Sequence, residues 1–192
     1  MIVVLFGPPY SGKGTQAVRV ASRLGVPHVA TGDILRAEVA RGSALGKEVD
    51  PIMRSGRLVS DDLIVRVIES RLAQPDATAG ALLDGFPRTV PQAEALDTML
   101  QRNGRAVDVV VALGVAEDVL KQRMLKRAAE EARADDTPET FAQRLTVYAS
   151  QTAPVLGFYR QQRTRIEEVD GVGSVDEVTE RIAQALTAAQ RT

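Results

Sequence analysis

The segment that most constrains this chain is Gly7-Pro8-Pro9-Tyr10-Ser11-Gly12-Lys13-Gly14-Thr15, set directly after the apolar run Ile2-Val3-Val4-Leu5-Phe6 and before a helix-period stretch. A buried strand, a glycine-bearing turn and a helix N-terminus in that order aim backbone N–H groups and the positive end of a helix dipole at one point, which is the arrangement that holds a phosphate. Lys13 adds a point charge for terminal phosphates. The usual form of such a loop ends Gly-Lys-Ser/Thr, whereas here Gly14 follows the lysine and the hydroxyl arrives at Thr15.

The rest of the chain suits a core built around that loop. At 192 residues and 44% hydrophobic content it is expected to form one compact unit. The formal net charge of −1 leaves no broad basic field for nucleic acid or a membrane surface, so anion binding must be local. With no cysteine there is no disulfide framework, no thiolate metal site and no cysteine nucleophile. No signal-like segment precedes the loop and no apolar run is long enough to span a bilayer, so a cytoplasmic protein is expected.

Apolar runs of strand length alternate with helix-period segments, the pattern of an α/β fold with a parallel sheet and helices on both faces. Strands are expected at Met1–Phe6, Pro27–Ala30, Ala81–Asp84, Ala106–Leu113 and Arg165–Val169. Helices are expected at Lys13–Leu24, Asp33–Arg41, Asp61–Leu72, Pro91–Arg102, Ala116–Glu131, Pro138–Thr152 and Val175–Ala188. Residues 31–60, helical in pattern but without a strand, and the charged, loop-like stretch Glu130–Pro138 interrupt the alternation. Both follow elements that end near the loop, where ligands of such sheets bind, so both are candidate covers for a site.

Leu82-Leu83-Asp84-Gly85-Phe86-Pro87-Arg88 reads as a buried strand ending in an acid, then a turn that presents an arginine. An acid there can serve a magnesium ion, directly or through water. In Thr31-Gly32-Asp33-Ile34-Leu35-Arg36, Thr31 and Asp33 could simply cap a helix, but capping leaves Arg36 unexplained and available to clamp a second phosphate, as is Arg88. Arg123 and Arg127 share one helical face, where like charges repel unless an anion joins them. Arg133 and Arg144 bracket Asp135-Asp136-Thr137-Pro138, with Asp136 or Thr137 as a helix cap. The sole histidine, His28, has no partner for a metal and reads as packed or partly exposed, and Asp170-Gly171-Val172-Gly173 reads as an ordinary turn.

In order and spacing, the Gly7 to Thr15 loop, Thr31-Gly32-Asp33 with Arg36, Asp84-Gly85-Phe86-Pro87-Arg88 with Gln92, and Arg133-Ala134-Asp135-Asp136 with Arg144 closely resemble adenylate kinase over essentially the whole chain. The resemblance implies reversible phosphoryl transfer from Mg·ATP to AMP by a P-loop NTPase-like core (1–30, 61–126 and 138–192), an AMP-binding insertion (31–60) and a short lid (127–137). It implies that Pro9, Tyr10, Ser11, Gly12, Lys13 and Gly14 hold the ATP phosphates, that Thr15 and Asp84 serve Mg2+ largely through water, and that Arg123 stacks on the ATP adenine. Arg36 and Arg88 would grip the AMP phosphate. Thr31, Gly32, Gly85 and Gln92 would border the AMP base, with Met53, Leu58 and Val59 lining the nucleoside pocket. Arg127, Arg133 and Arg144 would surround the transferring group, oriented by Asp33, Asp135 and Asp136.

An AMP phosphate is already anionic near neutral pH and attacks without a general base, so the lack of a catalytic cysteine or histidine is no obstacle. The same resemblance implies ATP, AMP and ADP as substrates or products, no structural zinc, no nucleic-acid or membrane partner, and a monomer. A kinase for UMP or CMP shares the mechanism, with Thr31 and Gln92 favouring AMP; a non-catalytic ATP-binding switch leaves a second phosphate clamp without a purpose. Tyr10 is the departure, since the family usually has glycine there. At positive φ it would cost about 1 kcal/mol or more. On that reading Tyr10→Gly keeps or raises activity, and a large loss would give the ring a role of its own.

Overall fold

The computed structural model describes residues 1–131 and 137–189, with side chains for 1–128 and 137–187. Strands β1 (Ile2–Phe6), β2 (His28–Ala30), β3 (Ala81–Asp84), β4 (Val109–Gly114) and β5 (Arg165–Asp170) form one sheet in the order β2-β3-β1-β4-β5, with every pairing parallel. All five residues of β1 are buried, as a central strand covered on both faces must be.

Side chains alternate across the sheet. Ile2, Val4 and Phe6 point into one core with Leu83, Val110 and residues of α4 (Asp61–Leu72), α5 (Val90–Gln101) and α8 (Pro154–Gln161), among them Ile68, Leu96 and Tyr159. Val3 and Leu5 point into the other with Leu82 and Val111, against Ala17, Val20 and Ala21 of α1 (Lys13–Leu24) and Val178, Ile182 and Leu186 of α9 (Val175–Ala189). Each fully buried Val, Leu or Ile contributes about 1.5–3 kcal/mol. Both layers expected from the sequence are therefore present.

The helices α2 (Thr31–Ala40) and α3 (Ala44–Arg54) fill the segment read as helical without a strand. Helix α2 starts at Thr31 rather than Asp33, and its N-cap is Ala30 with no side-chain cap, so Thr31 and Asp33 are not capping residues. The ion pair from Arg36 to Asp33 at 2.6 Å uses that acid instead. No separate helix was expected at α3, whose pattern is interrupted by Gly46 and Pro51. Gly46 is there because α2 and α3 touch backbone to backbone: a Cβ at this position would lie 2.1 Å from the Glu38 carbonyl oxygen. Alanine ordinarily gains about 1 kcal/mol over glycine inside a helix. Here the clash wins, and Gly46→Ala is expected to lose about 1–3 kcal/mol, measured as a drop in the thermal midpoint; an unchanged midpoint would mean that the two helices part freely.

Helix α6 (Glu117–Glu131) runs up to residue 131, and α7 (Pro138–Val147) begins at Thr137, which accepts from the Thr140 N–H at 3.2 Å while Thr140 Oγ1 accepts from the Thr137 N–H at 2.9 Å. The expected single helix over Pro138–Thr152 is in fact α7, a wide turn over Tyr148–Thr152 with Ala153 N–H bonded to Tyr148 O, and then α8. Pro154 explains the division: it has no N–H to continue the ladder, but at the first position of a new helix none is needed. Strand β4 starts three residues later than the expected Ala106; at Asp108 the backbone N–H donates to Ile2 O at 3.0 Å and the side chain accepts from the Ile2 N–H.

Candidate functional site

The carboxyl ends of the strands open onto a cleft of about 870 Å3. After β1 the chain turns through the loop, with Ser11 N–H bonded to Pro8 O at 3.2 Å, and enters α1 from Gly12. Gly12 has φ 94°, a left-handed conformation that costs glycine nothing and frees the first N–H groups of α1 to face the cleft. Tyr10 also has a positive φ, 64°. The conformational cost foreseen for a tyrosine at this position is therefore real, on the order of 1 kcal/mol.

Lys13 Nζ donates to the Gly7 and Pro8 carbonyls, each at 2.7 Å, so the ammonium is folded into the loop it is expected to serve. Burial is the largest influence on it; Asp84 holds its proton on, Arg88 and Arg127 drive it off, and the pKa is lowered to about 8. At the end of β3, Asp84 sits between β1 and β2, paired in register with Leu5 and Ala30. Burial works against its charge, but His28, Lys13 and Arg88 outweigh it and hold the carboxyl below its ordinary value. His28 Nε2 is 3.5 Å from Asp84 Oδ2, too far for a well-formed hydrogen bond. The histidine read as packed or partly exposed is partly buried, and it faces the acid of the site.

The turn after β3 presents Arg88, whose Nε donates to Gly85 O at 2.8 Å. Burial lowers the Arg88 pKa, Asp84 opposes that, and the nearby Arg144 and Arg36 add to it. Lys13, Arg36, Arg88, Arg127 and Arg144 line one cleft in a chain of formal net charge −1. Only an anion relieves such a concentration, and a low-dielectric wall strengthens its grip.

Every site residue expected from the sequence within the described region lines this cleft: Pro9 through Thr15, Thr31, Gly32, Asp33, Arg36, Met53, Leu58, Val59, Asp84, Gly85, Arg88, Gln92, Arg123, Arg127 and Arg144. Arg133, Asp135 and Asp136 lie outside the described residues. Further cleft residues, besides Lys13, Arg36 and Arg88, are engaged by the protein itself. The buried Gln92 accepts from the Arg88 N–H at 2.7 Å and donates to Asp61 Oδ1 at 2.7 Å, leaving one N–H and one lone pair for a base. Thr31 Oγ1 donates to Asp84 O at 3.4 Å. Arg123 donates to Ser11 O at 2.9 Å and Gly171 O at 2.8 Å, tying the loop to the turn after β5.

Sequence reasoning missed Asp61, which also accepts from Thr89 Oγ1 at 3.1 Å and anchors the turn carrying Arg88. Its only local signal was a place in the first turn of α4, which any acidic residue could fill. It missed as well that Gly171 and Gly173, read as an ordinary turn, line the cleft together with Ser174. The donor set at Thr15 and Asp84 is hard oxygen, one hydroxyl and one carboxylate, which suits Mg2+ held mainly by substrate phosphates and water. Among the described residues no three His, Cys, Asp or Glu side chains gather as a metal cage.

A loop of this kind after the first strand of a parallel sheet, with a second set of arginines across the same cleft, defines a P-loop protein that holds two phosphate-bearing groups. The adenylate kinase family model matches residues 5–164. An adenylate kinase of Xanthomonas campestris pv. campestris (strain 8004) is 53% identical over 186 residues, 97% of this chain and 99% of the relative. One of Stenotrophomonas maltophilia (strain K279a) is 52% identical over 188 residues, 98% of this chain and the whole of the relative. The chain belongs to the adenylate kinase family.

Proposed function

We propose that this cleft carries out reversible transfer of the terminal phosphoryl group of ATP to AMP, giving two ADP, and so serves adenine nucleotide homeostasis. The observation that carries the reading is the opening of two separate phosphate-binding sets, Lys13 with the loop N–H groups and Arg36 with Arg88, onto one cleft of a chain in this family. The enzyme is then an ATP:AMP phosphotransferase.

Lys13 and the N–H groups of the loop bind the ATP phosphates, while Arg36, held by Asp33, and Arg88, held by the Gly85 carbonyl, bind the AMP phosphate. Arg127 and Arg144 reach the transferring group from α6 and α7, joined by Arg133 with Asp135 and Asp136 orienting. Thr31, Gly32, Gly85 and Gln92 border the AMP base, and Met53, Leu58 and Val59 line its nucleoside pocket. Arg123 stacks on the ATP adenine once it releases a carbonyl. Thr15 and Asp84 would hold Mg2+ through water, and the ion would supply charge neutralisation at the phosphates. Catalysis is positioning plus electrostatic stabilisation, since the attacking phosphate oxygen needs no base. The 31–60 insertion and the 127–137 lid close over the nucleotides and exclude water, which would otherwise consume ATP.

The same reading makes the protein a cytoplasmic monomer. No helix of the described residues is long and apolar enough to cross a membrane. The exposed large apolar side chains among them are Val18, Leu125, Val172 and Val175, and Val18 and Val175 belong to the cleft.

The deciding experiment is ADP formation from Mg·ATP with AMP, CMP, UMP or GMP as acceptor. Strong turnover with AMP alone is expected. Preference for a pyrimidine acceptor would keep the mechanism and overturn the roles of Thr31 and Gln92, and transfer to no acceptor would leave an ATP-binding module.

A further inference from the structure

Tyr10 does more than tolerate its place in the phosphate loop. Its side chain is buried, and it forms a small core of its own with Leu120 and Met124 of α6 and Phe141 of α7, apart from the two cores that flank the sheet. The Phe141 ring centroid is 5.5 Å away. The Arg127 guanidinium carbon lies 4.4 Å from the tyrosine ring centroid, and that of Arg144 lies 5.8 Å from it. Arg144 also donates to the tyrosine hydroxyl at 2.8 Å. One loop side chain thus touches an arginine from each of the two helices that flank residues 132–136.

Two guanidinium groups converging on one point repel each other. The tyrosine offers each a different electron-rich surface: the negative face of the ring to Arg127, and the oxygen lone pairs to Arg144. Phenylalanine keeps only the first of these and glycine keeps neither. A tyrosine held at φ 64° is strained, and such strain persists where the surroundings over-determine it. Here the small α6–α7 core and the two arginines supply that constraint.

We propose that Tyr10 is a positioning residue, whose ring and hydroxyl hold Arg127 and Arg144 over the phosphate loop before nucleotide binds. The inference rests on the reading of those arginines as groups that meet the transferring phosphoryl. It sets aside the expectation that Tyr10→Gly keeps or raises activity, because that expectation weighed the backbone cost without the ring contacts. Donors fixed in advance act on the chemical step more than on ground-state binding, so the effect falls on kcat rather than on KM.

The test compares Tyr10→Phe, Tyr10→Gly, Arg144→Ala and the Tyr10→Phe/Arg144→Ala pair in steady-state assays of the whole chain with Mg·ATP and AMP, alongside thermal melts. Tyr10→Phe is expected to lower kcat about threefold and Tyr10→Gly about tenfold, both with KM for ATP and AMP within about twofold of the parent. The Tyr10→Phe effect is expected to vanish in the Arg144→Ala background, which a general loss of packing would not do. If Arg144→Ala collapses kcat while Tyr10→Gly equals or exceeds the parent, or if Tyr10→Phe costs as much with Arg144 absent, Tyr10 does not position it and the proposal fails alone. If Arg144→Ala leaves kcat intact, the assignment of Arg144 fails and takes this inference with it.

Discussion

Lys13→Met is expected to lower kcat by at least about a hundredfold while the folded chain keeps or gains thermal stability. The two halves of that expectation share one cause. Burial, only partly offset by Asp84, lowers the Lys13 pKa from 10.5 to about 8. Between those two values the unfolded chain binds the proton that the folded chain has lost, so stability rises with pH across that window. Below about pH 8 the folded protein carries a charge that water would hold better. Methionine keeps the apolar stem and most of the length and removes that charge; it gives up the bonds to the Gly7 and Pro8 carbonyls, the longer one to Ser11 Oγ and the attraction to Asp84, beside which His28 and Arg88 remain. On the proposed role, function loses the ammonium assigned to the phosphates, an arrangement in which a destabilised group is kept for its chemistry. ATP affinity carries the same signature: the phosphates select the charged lysine, so Kd should be flat below about pH 8 and weaken toward tenfold per unit above it. Titration calorimetry at pH 6.5 to 9.5 reads this directly. An equal slope in Lys13→Met would assign the titration elsewhere, and a lower melting midpoint in that variant would show that the ammonium stabilises the loop.

What could be read from the sequence was whatever short-range pattern decides. The loop and β1 announce themselves because strand, glycine turn and lysine are contiguous, and the ends of α1 and α4 fall where expected because caps and periodicity act within a turn. Asp84 and Arg88 were legible for the same reason, being four residues apart at a strand end. Contacts made across the chain were not. Nothing local marks Asp61 as the partner of Gln92, 31 residues on, and nothing at Tyr10 points to Arg144, 134 residues on. The missed helices have a different cause. Pro51 lies inside α3 and Pro154 begins α8, because tertiary packing overrides intrinsic propensity where an apolar face must be buried. Arg123 shows the remaining limit: its presence in the site followed from the family pattern, but its bonds to Ser11 and Gly171 depend on how three separate segments meet.

Asp84→Asn should abolish turnover to a comparable degree, by about a hundredfold or more, but with the opposite effect on the fold. Asparagine is nearly isosteric, so shape is kept and only the charge is lost. That charge faces Lys13, His28 and Arg88, and the carboxylate stays ionised below its ordinary range in spite of burial because these groups surround it. Removing it leaves Lys13 and Arg88, which already repel each other, without the acid between them. Breaking a buried pair by deleting one partner costs about 3–5 kcal/mol, and since the cleft admits water the lower part of that range is expected. The contribution of a depressed carboxylate is present above the unfolded pKa and is lost as pH falls through the folded one. The parent and Asp84→Asn should therefore differ most in melting midpoint near pH 7 and converge in acid, once pH falls through the depressed range of the folded carboxylate. The lost stability is also what separates this variant from Lys13→Met: both are inactive, one because the cluster has lost its anion and one because it has lost a cation. Because Asp84 is also proposed to hold Mg2+ through water, any residual activity of the asparagine variant should need more magnesium for half-saturation. A midpoint at pH 7 equal to that of the parent would mean that solvent alone compensates the cations, and the electrostatic account of the cleft would have to be abandoned.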